Sequence, residues 1–116
     1  MSTDECLFCR IVAGRVPARF AHQDDLVVAF HDITPRAPTH ILVLPRQHIA
    51  SAADLTDLDG PLLGRLFAVT AELARDADVA ERGYRLAINV GPDGSQTVDH
   101  LHVHLMGGRA FGWPPG

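Results

Sequence analysis

The sequence predicts an α+β fold: a mostly antiparallel five-stranded sheet with one long and one short helix. Three observations predict it. Alternation with the period of a strand recurs in five stretches, most plainly over residues 99–106. One long helical stripe falls between the third and fourth stretches, and a short one precedes the first. Clusters of Gly, Pro and Asp separate the stretches as turns do. The chain has 116 residues, 47% of them hydrophobic, with neither repeat nor linker, and reads as a single domain over 1–116.

Residues 1–5 are polar and acidic, and a frayed tail is expected there. Apolar side chains at 7, 8, 11 and 12 describe a short helix over 7–13, stopped by Gly14. Pro17 introduces an extended run over 18–23, and Asp24-Asp25 makes a tight turn into a second strand over 26–33. Regular alternation there puts Phe30 and Asp32 on one face and Ala29 and His31 on the other. Pro35 and Pro38 make 34–39 a loop. The third strand, 40–45, turns Ile41 and Val43 one way and His40, Leu42 and Leu44 the other. Residues 51–60 read as loop or a short helical turn, with Asp54, Asp57 and Asp59 suited to helix starts. Pro61 suits a first turn, and Leu63, Leu66, Phe67, Thr70, Leu73 and Ala74 make a stripe ending near Asp78. The fourth strand, 84–90, sets Tyr84, Leu86, Ile88 and Val90 against Arg85, Ala87 and Asn89. A turn cluster over 91–95 leads into the last strand as an antiparallel hairpin with a longer loop. Residues 107–116 form an irregular tail containing Trp113.

In the last strand His100, His102 and His104 alternate with Leu101, Val103 and Leu105. The aliphatic face reads as core, and the helices are expected to pack on it. The imidazoles then open onto the uncovered face or a groove. Three readings of that face stand: a solvated histidine-rich strand, a metal-ligand set, or a neutral imidazole nucleophile with neighbours that orient it and balance charge. Three ligands on one straight strand do not converge on a tetrahedral centre, which weighs against the second.

Net charge is −4 and no basic run occurs, which argues against extended nucleic-acid binding. No apolar run reaches membrane-spanning length, so no membrane association is expected. The opening residues do not read as a signal or transit peptide, and Cys6 and Cys9 are too close to staple a fold. A reducing cytoplasm is the expectation. The Cys6-Leu-Phe-Cys9 pair supplies half a zinc site. A redox pair would want a strand-then-helix setting.

His100-Leu-His-Val-His-Leu resembles the signature of the histidine triad superfamily. The likeness extends to Ala29-Phe-His-Asp-Ile, Ala37-Pro-Thr-His-Ile-Leu-Val-Leu-Pro, Gln47-His-Ile, Gly94-Ser-Gln-Thr-Val, Gly107-Gly-Arg and Trp113-Pro-Pro-Gly. These are similar to the Hint branch, over nearly the whole chain from about Cys6 to Gly116. The resemblance implies a HIT-like fold whose sheet continues across a homodimer, with 84–90 or its neighbour at the two-fold axis and the tail reaching towards the partner's site.

It also implies a hydrolase that binds purine nucleotides, adenosine or guanosine, and cleaves nucleoside 5′-phosphoramidates through a nucleotidyl-histidine. His102 would be the nucleophile, with His104, His100 and His40 tuning charge or relaying protons. Asp32 would accept the ribose hydroxyls; a turn or capping role is its alternative. Asn89 and Thr97, with the backbone amides of Gly94, Ser95, Gln96 and Thr97, would hold the phosphate and leaving group. Phe8, Phe30 and Leu42 would line the base pocket, with ordinary core as their alternative, and Trp113 would act from the tail. Some relatives close a zinc site with histidines that match His48 and His100, which makes Cys6, Cys9, His48 and His100 the candidate structural zinc set. A dinucleoside polyphosphate hydrolase of the Fhit branch and a non-catalytic nucleotide-binding adaptor are the rival readings.

Overall fold

All five strands pair antiparallel, in the order β1-β2-β3-β5-β4. They are β1 (Phe20–Gln23), β2 (Val27–His31), β3 (Thr39–Pro45), β4 (Tyr84–Ala87) and β5 (Val103–Gly107). The computed structural model describes residues 5–116. Most of the tail expected over 1–5 therefore lies outside the described residues. Helix α1 is Leu7–Val12 and α2 is Gly60–Asp76.

Alternation along β3 divides the core in two. Ile41 and Val43 join Val27, Ala29, Val103 and Leu105 beneath α2, which contributes Leu66, Val69, Leu73 and Ala74. Leu42 and Leu44 face the other way, with Val28 and Phe30, and there α1 covers them with Phe8 and Ile11. Helices therefore pack on both faces, not only on the aliphatic side of the histidine strand. The six-residue α1 is too short to bury much by itself. It is held by Phe8, whose ring stands edge-on to Phe30 at 5.3 Å.

Proline at the first turn starts α2, and the preceding capping box ties Thr56 to Asp59. The stripe on α2 is rotated from its expected position. Val69 is buried and Phe67 is 41% exposed, because the helix presents 66, 69, 70, 73 and 74 to the sheet. Thr70, buried in that stripe, satisfies its hydroxyl by donating to the Leu66 carbonyl at 2.8 Å.

Two strands are shorter than the alternation suggested. β4 stops at Ala87, and Ile88 and Val90 run beyond the ladder. β5 starts at Val103, so His100 and His102 stand before it, His100 at a bend where its amide donates to the Val98 carbonyl at 2.9 Å. Both ends approach the loop that joins these strands, where side-chain hydrogen bonds replace the ladder. The β1–β2 turn is built on Asp24, whose Oδ1 accepts from the amides of Leu26 and Val27, each at 2.8 Å. Its Oδ2 meets His22 at 2.6 Å and Arg65 of α2 at 2.8 Å. Burial alone would raise this carboxyl's pKa; His22, the two amides and Arg65 hold it well below the usual range. At the far end of β5, Gly107 lies against Val79. A Cβ added there would stand 2.8 Å from the Val79 Cβ, so only glycine fits without movement.

Candidate active site

His102 is fixed by its backbone neighbour. Its Nδ1–H donates to the His100 carbonyl at 2.6 Å, which places the proton on Nδ1 and leaves Nε2 with a lone pair. The Phe8 ring stands edge-on to the imidazole at 5.0 Å and restricts its rotation. Burial, offset in part by that carbonyl and by Asp32, lowers the pKa of His102, so the ring stays neutral.

A second pair lies beside it. His40 Nε2 and His104 Nδ1 are 2.9 Å apart, and His40 Nδ1 accepts from the Arg36 amide at 3.0 Å. An accepting Nδ1 puts the proton of neutral His40 on Nε2, from which it donates to His104. Neutral His104 then carries its own proton on Nε2. Burial, with His102 and His40 as neighbours, pushes His104 down to about 4, and burial also lowers His40. The His102 and His104 ring centres are 5.0 Å apart. The site thus offers one unprotonated ring nitrogen beside one N–H donor, with no cationic imidazole.

Two cavities meet at these rings. One, of about 360 Å³, is apolar and includes Phe8, Phe30, Leu42 and Val98, with His102 in its wall. The other, of about 580 Å³, is polar and includes Thr34, Arg36, Asn89, Ser95 and Met106. Asp32, Thr97 and His104 border both. Asp32 carries a turn as well: its Oδ1 accepts from the Thr34 amide at 2.8 Å, while Oδ2 lies 3.4 Å from His40 Nε2. The turn and site readings of this residue are therefore compatible.

Several expected site residues stand elsewhere. Gln96 lines neither cavity. Its Oε1 accepts from the Gly91 amide at 3.0 Å, and its Nε2 donates to the carbonyls of Ala50 and Val98, which braces the loop. Gly94 is a close-packing position, where an added Cβ would meet the Val90 carbonyl oxygen. Trp113 is 84% exposed and touches neither cavity. Thr34, Arg36 and Met106 line the polar cavity without having been singled out in the sequence. The lone signal for Arg36 was its place four residues before His40.

His100 parts from the other two triad histidines. It is fully buried, and its Nε2–H donates to the Pro45 carbonyl at 2.8 Å. Its Nδ1 lies 3.4 Å from Cys6 Sγ and 3.5 Å from Cys9 Sγ, and Cys9 Sγ lies 3.3 Å from His48 Nδ1. All four donor atoms fall within 4.8 Å of one another. Tetrahedral zinc, with bonds of about 2.3 Å to sulfur and about 2.0–2.1 Å to nitrogen, needs sulfur–nitrogen separations of about 3.5 Å. The donor set fits that geometry, and the carbonyl behind His100 holds its ring in the ligating tautomer. Burial, with Cys6 alongside, pushes the Cys9 thiol up to about 11, so this sulfur needs a cation to ionise.

Residues 13–111 match the HIT domain. The chain belongs to the HIT domain family. It is 45% identical over 114 residues to an uncharacterized HIT-like protein of Synechococcus elongatus, spanning 98% of this chain and 99% of that one. It is 43% identical over 109 residues to the purine nucleoside phosphoramidase of Escherichia coli, spanning 94% and 92%. Among solved structures, a HIT family hydrolase from Legionella pneumophila superposes with a TM-score of 0.95 at 46% identity, over 97% of this chain and all of that one. A histidine triad protein from Clostridium difficile superposes at 0.91 with 36% identity, over 97% of each chain.

The lowered histidine pKa values set a pH dependence. Unfolded imidazoles take up protons as pH falls through about 6.5, whereas folded His104 resists to about 4. The unfolded chain thus binds more protons in that window. The stability that neutral His104 contributes is complete above about pH 6.5 and is lost as pH falls towards about 4. Urea midpoints should fall across this range, and His104→Gln should make the fall shallower; an equal fall in wild type and variant would contradict the assignment.

Proposed function

We propose that this HIT protein hydrolyses purine nucleoside 5′-phosphoramidates through a nucleotidyl-His102 intermediate. The observation that carries the reading is the single tautomer imposed on His102, whose ring, with Nε2 bare, lines the apolar cavity beside His104, a residue that borders the polar cavity as well. The Escherichia coli relative's activity, at 43% identity, supports the substrate class.

In this reading the purine lies in the apolar cavity among Phe8, Phe30 and Leu42, and Asp32 takes the ribose hydroxyls. The phosphate sits at the junction, near Thr97, Asn89 and Ser95. His102 Nε2 forms a bond to phosphorus as the phosphorus–nitrogen bond to the amine breaks. The His40–His104 pair supplies the proton with which the amine leaves. Water then cleaves the nucleotidyl-histidine, and its proton returns to His104. His100 has no place in this relay, since both its ring nitrogens are committed elsewhere.

The reading includes a structural zinc ion held by Cys6, Cys9, His48 and His100, which fixes α1 and the residue whose carbonyl orients the nucleophile. Bound there, zinc would supply cross-linking and hold the thiolates. It also includes a homodimer. β4 is one of the sheet's two edge strands, and Leu86 in it and Ile88 and Val90 just beyond it remain 39%, 40% and 41% exposed, as a covered edge would require.

Five measurements test these parts. His102→Ala should lose at least about 10³-fold in turnover of an adenosine phosphoramidate while still binding nucleotide. Rapid quenching of wild type should trap label on His102; label on another residue, or an active His102→Ala protein, would overturn the mechanism. A diadenosine polyphosphate hydrolysed faster than the phosphoramidate would transfer the protein to the rival class. Metal analysis should give one zinc per chain, lost in Cys9→Ser, and zinc-free folded protein would remove the metal from the scheme. Sedimentation at micromolar concentration should give a dimer that Leu86→Arg dissociates; a wild-type monomer would refute that part.

A further inference from the structure

The phosphoramidase reading leaves open which amine is released, and the polar cavity bears on that choice. In-line displacement puts the leaving nitrogen across phosphorus from the attacking Nε2. His102 borders the apolar cavity and not the polar one. A phosphate held at the junction therefore directs its leaving group into the polar cavity, which at about 580 Å³ holds a small amine with room to spare.

From this placement we infer that Arg36 selects leaving amines that carry a carboxylate. Arg36 is the one permanent cation bordering the polar cavity among the described residues. The two histidines there, His40 and His104, have their proton affinities lowered by burial and stay neutral. The single carboxylate, Asp32, stands at the shared end of the cavities with one oxygen on the Thr34 amide and the other against His40. The Arg36 guanidinium makes no hydrogen bond or ion pair with a described residue, so it has donors to spare.

The backbone of Arg36 is nevertheless pinned on both sides. Its amide donates to His40 Nδ1 at 3.0 Å, and its carbonyl accepts from Arg109 Nε at 2.9 Å. Arg109 is in turn stacked on the Phe111 ring, 4.0 Å from its centre. A cation whose main chain is tied to the catalytic histidine pair, and whose side chain is free, is anchored at a fixed reach from the phosphate. A guanidinium fork matches a carboxylate in two parallel hydrogen bonds. The substrate class that follows is a nucleoside phosphoramidate of an amino acid or similar acidic amine. Such a phosphoramidate would come from chemistry that joins the amine of an amino acid to an activated nucleotide.

The inference rests on the phosphoramidase reading, and its test separates the two. Adenosine 5′-phosphoramidates of β-alanine and of β-alaninamide differ only in the charge of the leaving group's far end. The ratio of their kcat/KM values is measured in wild type and in Arg36→Gln, so that intrinsic leaving-group reactivity cancels. The ratio should fall by roughly fivefold in Arg36→Gln and further in Arg36→Glu, and in wild type it should shrink with added salt. An unchanged ratio with both substrates turned over would overturn the role of Arg36 and leave the phosphoramidase reading intact. If wild type turns over neither, that reading fails, and the same ratio is taken from the two compounds' affinities for His102→Ala. An unchanged affinity ratio there overturns the role of Arg36 as well. Loss of diadenosine triphosphate hydrolysis in Arg36→Gln, with the ratio unchanged, would reassign the guanidinium to a phosphate chain and equally reject the inference.

Discussion

The site depends on one hydrogen bond, from His102 Nδ1–H to the carbonyl of His100 at 2.6 Å. An isolated imidazole exchanges its proton between two nitrogens, and only one arrangement leaves Nε2 bare. A side-chain acceptor could rotate away. A backbone carbonyl two residues back cannot, provided its own residue is held. His100 is held at both ring nitrogens, by the Pro45 carbonyl on one side and by the two cysteine sulfurs on the other. The rigidity of the His102 ring is thus borrowed from a buried residue that borders neither cavity.

The sheet divides the remaining work. Its α2 face is a conventional apolar core, continuous from Val27 through Ile41 to Leu105. Its α1 face is chemically mixed, because Phe8 there packs against His100 and His102 as well as beside leucines. Central placement of β3 and β5 gives both histidine-bearing strands a hydrogen-bonded neighbour on each side. Leu42 is directly opposite His104 and His40 opposite Met106, and the antiparallel register brings the His40 and His104 rings together diagonally.

The strands and the two-sided alternation of β3 were legible because period-two burial leaves a direct trace in residue order. So was the four-donor group, once the likeness to a known signature joined His48 and His100 to the cysteine pair. The side on which α1 packs was not legible, since a six-residue helix with apolar residues at 8 and 11 fits either face. Gln96 and Gly94 were read as phosphate contacts because a Gly-rich loop suggests amides turned to an anion. Residue order shows neither the bond from the Gln96 side chain to the far Ala50 carbonyl nor the local packing of Gly94 on the Val90 backbone. Thr34 and Arg36 were passed over as ordinary loop residues for the same reason. They reach the polar cavity only through the fold of the 34–39 segment around His40.

Keeping His40, His102 and His104 neutral has a further effect. An anion resting at the junction meets N–H dipoles, whose pull fades steeply with distance, and not a row of buried positive charges. Dipoles can hold a phosphate in place while contact lasts and still let it go within a few ångströms of separation. A pocket of protonated rings would grip a dianion far more firmly and would make its departure the slow event of each cycle. Burial that keeps His40, His102 and His104 neutral therefore leaves the junction without the fixed positive charge that would retain an anion.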